Sequence, residues 1–158
     1  MRARLVLVLV VATLPLAGCG GASKPAAGGA PTASSTAPAD PVAATAEVKQ
    51  SWATFFDGSR PAAERAALVE DGAHLAQALA LGAKDPSSTR TRATVTAVTF
   101  TSPRQAAVTY NLSVAGNQVL TGAQGQAVLD QGRWKVSKFT FCQLLALGSG
   151  GTPVPGCS

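Results

Sequence analysis

The sequence has few charged side chains, few aromatic rings and a single histidine. Charged residues make up 13% of the chain, aromatic residues make up 5%, and His74 is the only histidine. The basic residues are scattered, whereas nucleic-acid binding is typically marked by basic clusters with interleaved aromatic residues. One histidine and two distant thiols do not supply the four ligands of a structural zinc site. The composition therefore disfavours a nucleic-acid partner and a metal centre, and we expect no cofactor.

The apolar N-terminal run is too short for a permanent membrane-spanning helix, which needs about 20 residues. Arg2 and Arg4 precede the run, and residues 5–14 are almost wholly leucine, valine and alanine. A basic start, a short apolar middle and small residues at the end are typical of a secretory signal peptide. The run closes with Leu16-Ala17-Gly18-Cys19, which resembles the lipobox of bacterial lipoproteins.

The lipobox resemblance implies that a diacylglycerol is attached to the Cys19 thiol and that residues 1–18 are removed. Their removal takes away two arginines, so the net charge falls from +5 to +3. Two or more acyl chains on one residue give stable anchoring to a membrane. We therefore expect a lipoprotein on the extracytoplasmic face of the cell membrane, partly released. A soluble secreted protein is the alternative.

The segment that follows Cys19 contains almost no large side chain. Residues 20–41 are dominated by glycine, alanine, serine, threonine and proline. Such a segment has nothing to bury, so it is predicted to be disordered and to serve as a spacer. This divides the chain into a signal peptide (1–18), a lipidated cysteine with its tether (19–42) and a single folded domain (43–158).

The two remaining cysteines, Cys142 and Cys157, predict a disulfide bond. Outside the cytoplasm, an even pair of cysteines in a small domain typically forms one. The bond closes a loop of about 15 residues and contributes roughly 3 kcal/mol in a chain-entropy estimate. Redox-active thiols usually occur as Cys-x-x-Cys beside a helix start, and this pair has a much wider spacing.

Three helices are predicted in the first half of the domain. Asp40 and Pro41 indicate a helix start, with the aspartate as N-cap and the proline in the first turn. This helix ends at Asp57-Gly58 and carries one apolar stripe at helical spacing, formed by Val48, Trp52, Phe55 and Phe56. A second helix is predicted from Pro61 to Gly72, and a third from His74 to Gly82.

The second half of the domain changes to β-branched alternation, which predicts strands. A Gly116-Asn117 pair is typical of a hairpin turn, and Gly122 and Gly125 indicate a bulge or bend. The predicted strands are Arg92–Thr101, Gln105–Val114, Val119–Leu129 and Arg133–Leu145. In the last of these, Trp134 and Val136 face one way and Phe139 and Phe141 the other, which requires two buried faces or a change of register near Ser137.

Helices followed by a four-stranded antiparallel meander predict an α+β fold. The sheet has an apolar face that water cannot cover, and the Trp52 helix is the candidate to cover it. This layout is similar to the cone-shaped nuclear-transport-factor-like superfamily, also described as cystatin-like, in which a curved sheet wraps a long N-terminal helix around a pocket.

Five segments in series resemble the low-molecular-weight secreted protein antigen family of mycobacteria and their relatives. They run over about residues 48–147, in matching order: Trp52–Ser59, Ala67–Gly72, Ala107–Leu112, Gly132–Ser137 and Thr140–Leu145. The resemblance implies an exported protein with this α+β domain and without an established enzymatic activity. The lipobox departs from the simple secreted form of that family and favours an anchored protein.

The sequence leaves three functions open for the domain. The first, which we favour, is a non-catalytic module that binds an envelope protein or an apolar ligand. Its candidate pocket-lining residues are Trp52, Phe55, Phe56 and Tyr110. An isomerase- or dehydratase-like enzyme is the alternative, since such chemistry needs a base and a donor to the developing oxyanion. Its candidate residues are Asp71, His74 and Tyr110. A structural domain with a filled core is the third. Arg133, Lys135 and Lys138 are expected to be solvated charges.

Overall fold

The structure, a computed structural model, describes residues 35–84, 86–148, 150, 154, 156 and 157. The predicted signal peptide, Cys19 and residues 20–34 of the predicted tether lie outside the described residues. Among the helices of the described part of the chain, none has the length and apolar character that a membrane crossing requires.

The described domain has four helices and one sheet. The helices are α1 (Pro41–Phe55), α2 (Ala62–Ala66), α3 (Gly72–Gly82) and α4 (Lys138–Gly148), with a 3₁₀ turn at Ser88–Arg90. The strands are β1 (Thr91–Ser102), β2 (Gln105–Val114), β3 (Asn117–Asp130) and β4 (Arg133–Val136). They form an antiparallel sheet in the order β1-β2-β3-β4, so the predicted α+β class is confirmed.

Helix α1 begins where its sequence predicts. The Asp40 carboxylate accepts a hydrogen bond from the backbone N–H of Ala43 at 2.9 Å, which satisfies one of the free amides of the first turn. Its apolar stripe is buried, with Trp52 0% and Phe55 1% exposed. The helix packs against β1 and β4, the two outer strands of the sheet.

The predicted role of Gly72 as a helix stop is wrong, because α2 ends at Ala66 and Gly72 starts α3. A Cβ atom on Gly72 would lie 1.8 Å from the carbonyl oxygen of Ala66. The glycine therefore permits the tight turn between two helices. The preceding residue, Asp71, has a left-handed backbone with φ of 57°.

Two of the three hairpins of the sheet, β2–β3 and β3–β4, turn on residues with positive φ. Ala115 and Gly116 both have positive φ in the β2–β3 turn, one position before the predicted Gly116-Asn117 pair. The register of β2 and β3 shifts between Tyr110 and Leu112, opposite Gly122, which also has positive φ. The predicted bulge in this strand is therefore confirmed.

The prediction of a fourth strand that reaches Leu145 is wrong. Strand β4 ends at Val136, and α4 starts at Lys138. Ser137 caps this helix, since its hydroxyl accepts a hydrogen bond from the Thr140 amide at 3.1 Å. The helix also explains the apparent change of face: Phe139 is 58% exposed and Phe141 is 6% exposed, because residues two apart on a helix point in different directions.

The sheet is strongly curved. Phe100 on β1 and Trp134 on β4 belong to opposite edge strands, yet their ring centroids are 5.4 Å apart. Three strand spacings in a flat sheet measure about 14 Å, so the side chains meet because the sheet curls around α1. The outer edge of β4 is covered by residues 68–70, through hydrogen bonds from Glu70 to Val136 and from Val136 to Leu68.

The core lies between α1 and the concave face of the sheet. It is dominated by aromatic rings in mutual contact: Trp52, Phe55, Phe56, Tyr110 and Phe141. Gly125 on β3 faces this core. A Cβ atom there would lie 2.9 Å from Thr140 Cγ2, 3.0 Å from Trp52 Cζ2 and 3.2 Å from Tyr110 Cε1. The missing side chain thus allows α1, β2 and α4 to meet at one point.

The disulfide between Cys142 and Cys157 is present. It joins α4 to the C-terminal tail, and both cysteines pack against the core cluster. The neighbouring Gly156 lies beside the start of α3, since a Cβ atom on it would be 2.7 Å from the carbonyl oxygen of His74. The bond therefore ties α4 to the body of the domain.

We predict that Gly125→Ala destabilises the domain. The new methyl group would overlap three packed side chains, and overpacking of this kind costs about 1–3 kcal/mol. Chemical denaturation measures the change. Gly82→Ala is the matched control, because Gly82 ends α3 with open space at its Cβ position; its stability should be unchanged or slightly higher. Equal stability of the two variants would contradict the packing described.

We predict that Cys142→Ser lowers the melting temperature and leaves Cys157 as a free thiol. The chain-entropy estimate for this loop is about 3 kcal/mol. Thermal denaturation and alkylation followed by peptide mass analysis measure the two effects. Reduction should destabilise the unmutated protein and leave Cys142→Ser unaffected. Alkylation of both cysteines in the native, unreduced protein would show that the bond does not form.

Candidate functional site

An apolar groove of about 350 Å³ lies between α4 and the inner side of strands β2 and β3. Tyr110 and Ala123 contribute from the sheet, and Leu144 and Leu147 contribute from the helix. The complete lining is Tyr110, Leu120, Ala123, Gln124, Thr140, Gln143, Leu144, Ala146 and Leu147, and it contains no charged side chain. Ligand sites of proteins typically measure about 300–1,000 Å³ and are mainly apolar, so this groove has the dimensions of a small-molecule site.

The outer end of the groove is exposed apolar surface. Leu147, which lines the groove from α4, is 73% exposed. No charged residue follows Lys138 in the sequence, so α4 carries no charged side chain beyond its first residue. The groove is therefore open to solvent beside an apolar rim.

Of the four predicted pocket-lining residues, Tyr110 lines the groove and the other three lie behind it in the core. Tyr110 is 1% exposed, and burial raises the pKa of its phenol above the ordinary value. Trp52 contacts the Tyr110 ring at a centroid distance of 5.7 Å, and Phe56 stacks on Tyr110 at the same distance. Phe55 packs edge-on against Phe141 of α4 at 5.6 Å. The aromatic side chains of α1 thus pack against Tyr110 of the groove wall and against Phe141 of α4, on the core side of the groove.

A second, larger concavity is polar. It measures about 940 Å³ and lies between the α2–α3 junction and one end of the sheet. Its charged lining residues are Glu70, Asp71, Arg104, Asp130 and Lys135, and His74 also lines it.

The charged groups of this polar cleft are engaged in ion pairs or in hydrogen bonds to the backbone. Lys135 is 11% exposed and contacts Asp130 at 2.7 Å, although it was expected to be a solvated charge. The Glu70 carboxylate accepts a hydrogen bond from the Lys138 amide at 3.0 Å. The Arg104 guanidinium donates to the carbonyl oxygen of Leu129 at 2.9 Å. These contacts hold α4 and the hairpins in place, and they use the groups that would otherwise bind a ligand.

Asp71 and His74 are in contact at the mouth of the polar cleft. Asp71 Oδ1 lies 2.6 Å from His74 Nδ1, and its Oδ2 lies 3.4 Å from Lys138 Nζ. The hydrogen bond with His74, together with Lys138, lowers the pKa of the Asp71 carboxyl. The side chain of His74 is 75% exposed, so this pair lies in solvent.

The structure does not assemble the candidate catalytic set. Asp71 and His74 line the polar cleft, whereas Tyr110 lines the apolar groove, which shares no lining residue with the cleft. An acid–base pair and an oxyanion donor have to reach the same substrate atom, within hydrogen-bond distance. The described part of the chain also contains no group of three or more histidine, cysteine or acidic side chains placed to hold a metal ion.

Sequence reasoning missed most of the groove. The sequence pattern predicts a strand over Thr140, Gln143 and Leu144, it predicts no element at Ala146 and Leu147, and it places Leu120 and Ala123 only in a bent strand. The signal that identifies α4 is the cap residue Ser137 and, after Lys138, ten uncharged residues whose apolar side chains do not alternate, which fits a capped apolar helix better than a strand.

The comparisons with known proteins agree with the resemblance found in the sequence. The family model for the C-terminal domain of the low molecular weight antigen MTB12 matches residues 41–152, more than half of the chain. Comparison with curated proteins gives no match. The matched residues run from the first residue of α1 to just beyond α4, and they include both sides of the groove. The chain therefore belongs to the low molecular weight antigen MTB12 family, an antigen family that is typically secreted or extracellular.

Proposed function

We propose that this protein is a lipid-anchored, non-catalytic binding protein of the cell envelope, and that it holds a small apolar ligand in the groove between α4 and strands β2 and β3. The observation that carries the proposal is the uncharged apolar groove of about 350 Å³. A small molecule of matching polarity gains free energy there by removing apolar surface from water, at roughly 25 cal/mol per Å².

The groove is a better candidate site than the polar cleft. In the cleft, Lys135 pairs with Asp130 and Asp71 pairs with His74 and Lys138, so a ligand would have to replace existing contacts. In the groove, a ligand has only to displace water from apolar walls. Tyr110 belongs to the groove and not to the cleft, which favours binding over acid–base catalysis.

Lipid anchoring is supported by the sequence. The Leu16-Ala17-Gly18-Cys19 tetrad closes a run typical of a signal peptide. The disulfide pairs Cys142 with Cys157, so Cys19 is left as the single remaining cysteine for acylation. An anchor of this kind would keep the domain, and any ligand in its groove, close to the membrane.

We predict saturable binding of N-phenyl-1-naphthylamine, an uncharged dye that fluoresces in apolar surroundings. Ala123→Leu places a larger side chain in the groove and should raise the dissociation constant at least about tenfold, equivalent to about 1.4 kcal/mol. Fluorescence titration measures the affinity. Ala107→Leu is the matched control, since Ala107 lies on the other face of the sheet, outside the groove lining. Absence of dye binding, or equal loss in both variants, would end the groove proposal.

We predict that Cys19→Ala blocks maturation. Without the thiol, acylation has no acceptor atom, and the unprocessed chain with residues 1–18 should accumulate in an expressing bacterium. Intact-mass measurement of the detergent-extracted protein distinguishes the acylated mature form from the precursor. Cys142→Ser serves as the control, because it removes a cysteine without touching the tetrad. Normal processing of Cys19→Ala would leave the soluble secreted form as the correct reading.

A further inference from the structure

The hydroxyl group of Tyr110 has no hydrogen-bond partner among the described residues, although a buried tyrosine usually pairs this group. The residue is 1% exposed. In the described part of the chain, the fully buried polar side-chain atoms without a partner are Trp52 Nε1 and Ser88 Oγ. The Tyr110 oxygen is not one of them, so it retains a small accessible area. Tyr110 therefore presents an unpaired polar atom at an accessible surface.

The surface that this hydroxyl reaches is the wall of the groove. The Tyr110 ring packs against Trp52 and Phe56, each at a centroid distance of 5.7 Å, and its Cε1 atom lies 3.2 Å from the position of the missing Cβ of Gly125. Tyr110 lines the groove between α4 and strands β2 and β3, and it does not line the polar cleft. Since core side chains enclose the ring, the accessible area that remains lies at the hydroxyl end and opens into the groove.

The other polar side chains of the lining are either paired or well hydrated. The Thr140 hydroxyl accepts a hydrogen bond from the Gln126 amide at 2.8 Å, and the Gln124 side-chain amide donates to the Thr109 hydroxyl at 3.2 Å. The Gln143 amide has no partner among the described residues, but this side chain is exposed, so bulk water hydrates it. The phenol thus differs from the rest of the lining in being both buried and unpaired.

The chemistry of the phenol defines the ligand atom that fits beside it. Burial raises the pKa of Tyr110 above its ordinary value, so the oxygen keeps its proton at neutral pH and can donate it to an acceptor. A pure hydrocarbon would displace water from this hydroxyl and leave it unpaired, which costs free energy. A carboxylate would be buried without a charged partner, since the lining contains no charged side chain. A neutral acceptor avoids both costs.

We propose that the groove binds an apolar molecule that carries one neutral carbonyl oxygen, as in a ketone or an ester, and that the Tyr110 hydroxyl donates a hydrogen bond to that oxygen. The proposal rests on the proposed binding function of the groove and narrows its ligand class. The oxygen then lies at the buried end of the groove. The apolar chain of the ligand extends toward Leu147, which is 73% exposed.

The test compares 2-octanone with 2-methyl-1-octene, in which a methylene group replaces the carbonyl oxygen and the rest of the molecule is the same. Tyr110 is the only tyrosine of the chain, so protein labelled with ¹³C at tyrosine Cζ gives one resonance that needs no assignment. Donation of a hydrogen bond by the phenol moves this resonance downfield. The resonance of the ketone complex should therefore lie downfield of that of the alkene complex. Displacement of N-phenyl-1-naphthylamine, measured in parallel, gives both dissociation constants.

Tyr110→Phe removes the hydroxyl and keeps the aromatic ring. The ratio of the alkene to the ketone dissociation constant should fall about fivefold, the value of one neutral hydrogen bond. Gln143→Ala is the matched control, because it removes the exposed amide of the same lining and should leave the ratio unchanged. If Tyr110→Phe does not fold, the ¹³C comparison on the unmutated chain decides alone.

The outcomes separate this proposal from the proposed function. Displacement of the dye by both compounds with coincident resonances of the two complexes overturns the role of Tyr110 and leaves the apolar groove standing. A ketone preference that is lost in Gln143→Ala and kept in Tyr110→Phe has the same meaning, as does dye binding that neither compound displaces. Absence of dye binding overturns the groove itself. A downfield resonance of the ketone complex, accompanied by displacement, supports both.

Discussion

The contact between Trp52 and the concave face of the sheet at Gly125 is the interaction on which the rest of the domain depends. A four-stranded sheet with one apolar face cannot remain in water, and α1 supplies the cover. The indole can approach β3 because Gly125 has no side chain, and the same gap admits Tyr110 of β2 and Thr140 of α4. Four elements therefore meet at one position. Two of the side chains that meet there, Tyr110 and Thr140, also line the groove.

Helix α4 converts a curved sheet into a domain with a groove. It replaces the continuation of β4, and its first turn is held by the Ser137 cap and by the carboxylates of Glu70 and Asp71. Its middle is tied by the Cys142–Cys157 disulfide. Its second half then stands beside β2 and β3 and forms one wall of the groove. Asp71, the acidic residue among the catalytic candidates of the sequence, thereby contacts Lys138 at the start of this helix.

The groove and the polar cleft differ in whether the side chains that line them already have partners in the protein. In the polar cleft, Lys135 of β4 pairs with Asp130 of β3, and Lys138 of α4 pairs with Asp71, so these charges connect separate elements of the fold. In the groove, the lining is mainly apolar and has no charged side chain. A ligand in the groove therefore displaces water, whereas a ligand in the cleft competes with existing contacts of the protein.

The sequence by itself determined the class of the fold, the capped start of α1, the aromatic stripe, the hairpin strands, the disulfide pair and the family. These features depend on local periodicity, turn chemistry and a small number of cysteines, all of which can be identified in the sequence without knowledge of the tertiary contacts. Only the tertiary structure decided that residues 138–148 form a helix, that Gly72 begins a helix rather than ends one, and that Tyr110 is separated from Asp71 and His74. Those outcomes depend on contacts between distant segments. One example is the hydrogen bond between the Glu70 carboxylate and the Lys138 amide at the start of α4. Another is the packing of Trp52 and Thr140 against Gly125. Neither contact can be predicted from a local sequence pattern.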